Sequence, residues 1–215
     1  MTAFVPDVTT ILTFAIAALA LAITPGPDMA LFISRTINHG VAHGFATVLG
    51  ALSGIGVHTM LVAFGISVLI VAAPALFWAL KIGGALYLIY LAVQAFRDSG
   101  SLNVERSAEN QTSLWRSYLI GVGINLTNPK VLLFFITFLP QFVSPDDPAA
   151  AGKLVFLGGD FVVVAVPVVI AIVLGAEWLT RALKTQPWVS KALNWCFGGV
   201  FLTFAATILL AEGRK

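Results

Sequence analysis

Long apolar runs separated by short polar links make up most of the chain, and this pattern predicts membrane-spanning helices. A helix that crosses a bilayer needs about 20 mostly apolar residues. Because nearly every face of these runs is apolar, length and polar interruptions define the helices better than periodicity does. Six stretches are long enough and predict six crossings, at residues 8–34, 44–72, 75–96, 114–143, 154–175 and 191–211.

Two of the six stretches are interrupted by polar motifs that contain proline. The first motif reads TPGPD from Thr24 to Asp28, and the second reads NPK from Asn128 to Lys130. A proline inside a helix removes an amide donor and clashes with the preceding turn, which costs about 3 kcal/mol. In lipid, a broken helix is tolerated only where protein or a wet cavity satisfies the freed backbone groups. We therefore expect both breaks to face one shared cavity near the middle of the membrane.

The two halves of the chain resemble each other in order and in detail. TPGPDMALFI in the first half aligns with LTNPKVLLFF in the second, which places Pro27 opposite Pro129 and Asp28 opposite Lys130. A second match, IGGALYL with FGGVFLT, pairs the third helix with the sixth. Two matches in the same order indicate an internal repeat.

An internal repeat with three crossings in each half has a topological consequence. Tandem copies with an odd number of crossings enter the membrane in opposite directions, as in many secondary transporters. We therefore predict an all-α integral membrane protein with six transmembrane helices in two inverted three-helix repeats. The repeats occupy about residues 8–96 and 114–211, a polar link covers 97–113, and the whole chain, 1–215, forms a single transporter domain.

Each break has the sequence of a helix that ends and starts again. Gly26 or Asn128 can cap the new helix, and the following proline suits its first position. The start of a helix presents free amide donors and a partial positive charge. That charge suits Asp28, whereas a cation such as Lys130 needs an anion nearby. Asp28, Asp160 in the fifth stretch and a ligand carboxylate are the three candidates, and a structural ion pair of Asp28 with Lys130 is the alternative to a functional role.

Ionisable groups inside membrane segments are costly and usually mark a transport pathway. Two helix N-termini and a lysine attract a carboxylate, while Asp28 and Asp160 can hold an ammonium group or a proton. A zwitterionic amino acid fits this pattern of charges. Histidine has an ordinary pKa close to neutral pH, so His58 is a candidate for a proton relay, with a hydrogen bond to a neighbouring helix as the alternative. The proton-coupling candidates are Asp28, Asp160 and His58.

Composition supports the bilayer and excludes several classes of function. Hydrophobic residues make up 59% of the chain and charged residues 10%, against about 25% charged in an ordinary soluble protein. A net charge of +2 without a Lys/Arg run gives no reason to expect nucleic acid as a partner. The single cysteine, Cys196, excludes an internal disulfide and a CxxC pair.

Basic residues in the predicted links suggest an orientation. The side with the links after helices one, three and five carries seven Lys or Arg residues, and the opposite side carries three. The positive-inside rule then places the seven in the cytoplasm and both termini outside.

The TPGPD and NPK motifs, the six-helix length and the GG…Y of the third helix resemble the LysE/RhtB family of amino-acid exporters. The resemblance covers essentially the whole chain. It implies a multi-pass exporter of the bacterial inner membrane that uses the proton gradient. Small amino acids are the implied substrates, whether threonine- or homoserine-like or other neutral or basic ones, and a homo-oligomer is left open. The substrate-binding residues implied by the motifs are Thr24, Pro25, Gly26, Pro27, Asp28, Asn128, Pro129 and Lys130.

Two alternatives to amino-acid export follow from the same sequence. An exporter of a divalent metal cation such as cadmium is disfavoured by the scarcity of soft ligands, one Cys and three Met. His39 and His43 form a possible metal pair but lack a third ligand, so we predict no metal site. A membrane-embedded enzyme is disfavoured because no nucleophile–base set or metal motif is present. We predict a protein that is not an enzyme and needs no cofactor.

Overall fold

The computed structural model describes residues 4–72, 74–97, 112–144, 147–185 and 187–210. Most of these residues are helical and none lies in a strand, which confirms the all-α prediction for the part described. In chain order the helices are α1 (Val8–Ile23), α2 (Pro27–His39), α3 (Val41–Ala72), α4 (Pro74–Arg97), α5 (Leu114–Thr127), α6 (Pro129–Leu133), α7 (Ala150–Leu174), α8 (Ala176–Thr185) and α9 (Pro187–Leu210). After α6 the chain continues in a π-helical turn, Phe134–Phe138, and a 3-10 turn, Leu139–Phe142.

Both predicted breaks are present as sharp bends between consecutive helices. α1 and α2 meet at 52°, and α5 meets the segment Pro129–Phe142 at 53°. In each break a proline occupies the start of the second helix, where its missing amide removes no intrahelical hydrogen bond. Gly26 precedes the first of these helices, and Asn128 precedes the second. Asn128 caps α6, because its Oδ1 accepts a hydrogen bond from the Lys130 amide at 3.0 Å.

Helix length and composition identify the candidate membrane spans. α3, over Val41–Gly65, and α7 are each long and apolar enough to cross a membrane alone. The bent pairs, α1 with α2 and α5 with Pro129–Phe142, meet the same criterion when each is taken as one span. The described residues therefore contain two clear spans, or up to four with the bent pairs, where the sequence predicts six crossings. The stretches predicted as the third and sixth crossings form α4 and α9, which pack against each other.

α3 and α5 join the two halves through a contact between backbones. A Cβ atom added to Gly50 would lie 2.0 Å from the Tyr118 carbonyl oxygen, and one added to Gly121 would lie 2.1 Å from the Thr47 carbonyl oxygen. No side chain fits at either position. Small residues allow this close approach of helices in a membrane.

Phenylalanine side chains fill the core beside the second break. Phe135 is fully buried and meets the Phe161 ring edge-on, with ring centroids 5.2 Å apart. The Phe134 ring packs beside the buried Phe14 ring of α1, with ring centroids 5.9 Å apart. Such aromatic pairs add about 0.5–1.5 kcal/mol beyond the area that they bury. The cluster fixes the segment after the second break against helices of both halves.

The structure differs from the sequence prediction at α8 and in the middle link. α8 lies within residues that the sequence assigned to a polar connection, and its Trp178 is exposed. Most of the predicted polar link, from 98 to 111, lies outside the described residues.

Candidate functional site

The lysine of the second break binds the end of the helix that precedes the first break. Lys130 Nζ donates hydrogen bonds to the carbonyl oxygens of Thr24 (2.9 Å) and Leu21 (3.3 Å). In an uninterrupted helix the Leu21 carbonyl would accept from the amide of residue 25, but Pro25 has none. Lys130 therefore supplies the donor that Pro25 lacks. The negative end of the α1 dipole also offsets the unfavourable position of a cation at the start of α6.

The aspartate of the first break contacts the end of the helix that precedes the second break. Asp28 Oδ2 accepts a hydrogen bond from Asn125 Nδ2 at 3.2 Å. The Asn125 carbonyl would normally be paired with the amide of residue 129, which Pro129 lacks. His58 Nε2 approaches this carbonyl at 3.4 Å, and the Asn128 amide donates to it at 3.2 Å. The two breaks thus stabilise each other across the two halves.

Buried polar atoms without a hydrogen-bond partner concentrate at the two breaks. Of the five such side-chain atoms among the described residues, three belong to the breaks and their flanks: Asp28 Oδ1, Asn125 Oδ1 and Asn128 Nδ2. Asn125 and Asn128 are almost fully buried. Each unpaired buried polar group in a folded protein requires an explanation such as a ligand or an ordered water. A carboxylate oxygen, an amide oxygen and an amide nitrogen are therefore available to a bound molecule.

Two cavities are lined by residues of both breaks. The first, which we call the small cavity, has a volume of about 50 Å³, and its polar lining consists of Thr24, Asp28, Asn125 and Lys130. The remaining lining side chains are apolar and come from α1, α2, α3, α6 and α7. The space is enough for a few water molecules. It lies well below the roughly 300 Å³ at which typical ligand pockets begin.

The second cavity, which we call the polar cavity, has a volume of about 330 Å³. Thr24 and Lys130 line both cavities, so the break residues form the wall between them. Helices α4 and α9 complete the polar cavity. Its described lining residues are Thr24, Pro25, Gly26, Pro27, Tyr87, Tyr90, Gln94, Asn128, Pro129, Lys130, Asn194 and Phe201.

The structure brings together the eight substrate-binding residues that the motifs imply. Asp28 lines the small cavity, and the other seven line the polar cavity. Lys130 directs its hydrogen bonds to backbone carbonyls rather than to Asp28, so the simple ion pair between the two is not formed.

The other two proton-coupling candidates lie in different surroundings. His58 is buried beside Asn125 and stacks on the Phe135 ring, with centroids 5.9 Å apart. Asp160 lines neither cavity, although its neighbour Phe161 lines the small one, and Asp160 Oδ2 is buried without a partner. Asp160 is therefore not brought together with Lys130, and its proton role stays a prediction.

Asn125 and the polar side chains on α4 and α9 were not predicted from the sequence. Asn125 stands three residues before Asn128 in an apolar helix, and a buried amide in such a position is itself a signal. Tyr87, Tyr90 and Gln94 follow the GG step of α4 at helical spacing, but sequence alone does not tell which face meets the breaks.

The two histidines considered as metal ligands lie away from both cavities. The rings of His39 and His43 are 5.4 Å apart, and His43 Nδ1 lies 2.9 Å from Ser117 Oγ. Within the described part of the chain, no three His, Cys, Asp or Glu side chains form a group that could hold a metal ion.

Comparison with known proteins identifies the family. Residues 19–212 match the family described as LysE type translocator. This chain belongs to that family. It is 33% identical over 199 residues to a homoserine/homoserine lactone efflux protein of Salmonella typhimurium, covering 90% of this chain and 92% of the relative. It is 30% identical over 203 residues to a leucine efflux protein of Klebsiella pneumoniae, covering 92% and 93%. A membrane protein of Vibrio cholerae is 29% identical over 210 residues, covering 97% and 99%. No solved structure matches the chain.

Membership of the LysE type translocator family confirms the resemblance drawn from the proline motifs. Members are transporters, and amino-acid export is supported at the level of the family. The predicted multi-pass placement in the bacterial inner membrane agrees with the family, with the apolar spans and with the membrane protein from Vibrio cholerae.

Proposed function

We propose that this LysE type translocator is a six-crossing exporter of small amino acids, built as two inverted repeats with the substrate bound where the breaks meet. The nearly equal bends of 52° and 53° at corresponding motifs support the repeat. α4 and α9 have 24 residues each. At 1.5 Å per residue each is about 36 Å long, which exceeds the roughly 30 Å hydrocarbon core.

The observation that carries the proposal is the set of unpaired buried groups of opposite character at the breaks. An ammonium group has three donors, and Lys130 uses two of them on α1. Its third donor and Asn128 Nδ2 suit a substrate carboxylate. Asp28 Oδ1 is free to accept from the substrate ammonium. A zwitterionic amino acid therefore matches both ends of the site.

Proton coupling follows from the same carboxylate. Asp28 is the described acid that lines a cavity at the breaks, and it can hold either the substrate ammonium or a proton. Protonation of Asp28 would release the ammonium, and deprotonation would restore the site. Asn125 connects His58 with Asp28, because its carbonyl lies beside His58 Nε2 and its side-chain amide donates to Asp28. His58 is therefore the first candidate to exchange that proton. Asp160 is the second candidate.

Transport requires the site to change shape, because the small cavity is too small for a whole amino acid. Rocking of one half against the other is the motion that inverted repeats provide. It would widen the space around Asp28 while Lys130 exchanges α1 carbonyls for the substrate carboxylate. The relatives named for homoserine, homoserine lactone and leucine efflux support a small neutral amino acid as the substrate.

Efflux from proteoliposomes tests the proposal. Asp28→Asn and Lys130→Ala should each abolish export of radiolabelled amino acids while the proteins still insert into the membrane. Asp147→Asn and Lys153→Ala are matched controls, because this pair lies at the start of α7 away from both cavities, and they should export normally. Export at the wild-type rate by both break variants would refute the site. An uncoupler added to the wild type should lower efflux if protons drive it.

A further inference from the structure

Polar side chains of α4 and α9 have no role in the proposed transport chemistry, yet they line the polar cavity. They are Tyr87, Tyr90, Gln94 and Asn194. The cavity volume of about 330 Å³ falls in the range of small-molecule pockets. The opposite wall consists of both proline motifs, so a molecule in this cavity would touch the residues that hold the substrate carboxylate. The cavity therefore has the size and position of a substrate site.

The wall contributed by α4 and α9 is neutral and rich in hydrogen-bonding groups. Gln94 Nε2 donates to the Tyr90 hydroxyl, and the Tyr87 and Tyr90 rings lie 5.8 Å apart. Asn194 is 5% exposed. Among the lining residues that the structure describes, Lys130 alone carries a formal charge. A wall without a carboxylate offers nothing to pair with the second ammonium or guanidinium of a basic amino acid.

The same wall is poorly suited to an aliphatic side chain. The Tyr90 side chain is 52% exposed and the Gln94 side chain is exposed as well, so water reaches both polar groups when the cavity is empty. A purely apolar group placed against them would displace that water and offer no hydrogen bond in return. Displacing an ordered water with a group that cannot reproduce its hydrogen bonds lowers affinity. A short side chain with a hydroxyl or ester oxygen avoids this penalty.

The location of the cavity along the helices indicates when the substrate would occupy it. Tyr90 and Gln94 lie in the last turns of α4, which ends at Arg97, and Asn194 lies near the start of α9, close to Lys191. The positive-inside rule assigns these basic helix ends to the cytoplasm. An exported molecule would therefore meet the polar cavity first.

We propose that the polar cavity is the cytoplasmic loading site, and that Tyr90, Gln94 and Asn194 select amino acids with a short, neutral, oxygen-bearing side chain over aliphatic ones. The inference rests on the proposed amino-acid export. The carboxylate of the loaded molecule faces Lys130 and the helix starts at Gly26 and Asn128, and its side chain faces α4 and α9. The specificity residues thus come from helices that carry neither proline motif.

Homoserine and norvaline test the selection, since they differ only by a hydroxyl in place of a methyl group. Purified protein in proteoliposomes is loaded with an equal mixture of the two labelled compounds, and the ratio of their efflux rates is measured. The wild type should prefer homoserine at least about tenfold, which is about 1.4 kcal/mol. Gln94→Leu and Asn194→Leu should each lower that ratio severalfold, with homoserine efflux falling more than norvaline efflux.

Two further variants separate specificity from folding. Tyr90→Phe removes one hydroxyl from the cavity and should lower the ratio in the same direction. Tyr118→Phe makes the same change on α5, where the hydroxyl donates to Ser53 outside both cavities, and should leave the ratio unchanged. Because the ratio is taken within one preparation, loss of folded protein cancels.

Three outcomes would overturn the inference. The first is a wild-type ratio near one. The second is an equal loss of both activities in the cavity variants, which would indicate a structural role. The third is efflux of neither compound by the wild type, which would overturn the proposed function together with the inference.

Discussion

Replacing Lys130 with methionine tests the link between the two breaks. The expected loss of stability can be estimated from the hydrogen bonds that the change removes. The change keeps most of the side-chain length and removes the ammonium that donates to the Thr24 carbonyl at 2.9 Å and to the Leu21 carbonyl at 3.3 Å. A hydrogen bond to a charged group contributes about 1.5–3 kcal/mol net, and the longer bond belongs at the lower limit. Loss of the two bonds together should lower the free energy of unfolding by roughly 3–4 kcal/mol. Removing the cation also ends its repulsion by the α6 dipole, which restores about 0.3–1 kcal/mol of stability.

A net loss of about 3 kcal/mol corresponds to a fall in Tm of roughly 6–12 °C for a chain of this size. Thermal unfolding of the purified protein in detergent, followed by size-exclusion chromatography, measures this shift. Lys153→Met is the matched control, because Lys153 lies in the first turn of α7 and pairs with Asp147 at 2.5 Å, and both side chains are partly exposed. Such pairs contribute about 0–1 kcal/mol. If the Tm of Lys130→Met lies within about 2 °C of the Tm of Lys153→Met, Lys130 does not hold α1 and the reasoning is wrong.

Three further predictions follow from the same structure. Gly50→Ala should lower Tm, since the added Cβ would lie 2.0 Å from a backbone carbonyl of α5 and overpacking costs about 1–3 kcal/mol. Gly56→Ala in the same helix meets nothing within 4 Å and should not lower it, so equal shifts would contradict the close contact. Asn125→Leu removes the donor to Asp28 and should reduce efflux at least about tenfold in proteoliposomes, or about 1.4 kcal/mol in the barrier; wild-type efflux would exclude a role for this amide. Hydrogen bonds from a lysine and a backbone amide lower the pKa of Asp147, so its contribution to stability is present at neutral pH and is lost as the pH falls through that lowered pKa. Asp147→Asn should therefore melt below the wild type at pH 7, with a gap that closes below about pH 3; a gap that persists there would contradict it.

The breaks could be predicted because their causes are local in sequence. Each combines a capping residue, Gly26 or Asn128, with a proline that starts the next helix. Proline alone is not the signal, since Pro167 lies inside α7 without ending that helix. At both breaks a residue that can cap a helix stands before the proline, whereas Val166 stands before Pro167.

The partners of the charged residues could not be predicted, because they are backbone atoms of another helix. From the sequence, Lys130 had three candidate anions as partners, whereas in the structure it donates to neutral carbonyls of α1. The identity of those carbonyls depends on how the second half packs against the first. The polar cavity was missed for the same reason, since only the packing of α4 and α9 against the breaks turns Tyr90 and Gln94 toward it.

The two breaks follow one rule that connects their stability with movement. In each, the carbonyl four residues before a proline loses its helical donor, and a side chain from elsewhere replaces that donor. Lys130 serves Leu21, and His58 approaches Asn125. If the halves rock, these contacts must open, and a buried carbonyl left unpaired costs about 1–3 kcal/mol. An empty transporter therefore resists opening. A substrate carboxylate that takes over the hydrogen bonds of Lys130 offsets part of that cost, because it replaces two neutral acceptors with a charged one. On this reasoning, substrate binding and release of α1 are a single event, and a variant that leaves the α1 carbonyls unpaired should open without substrate.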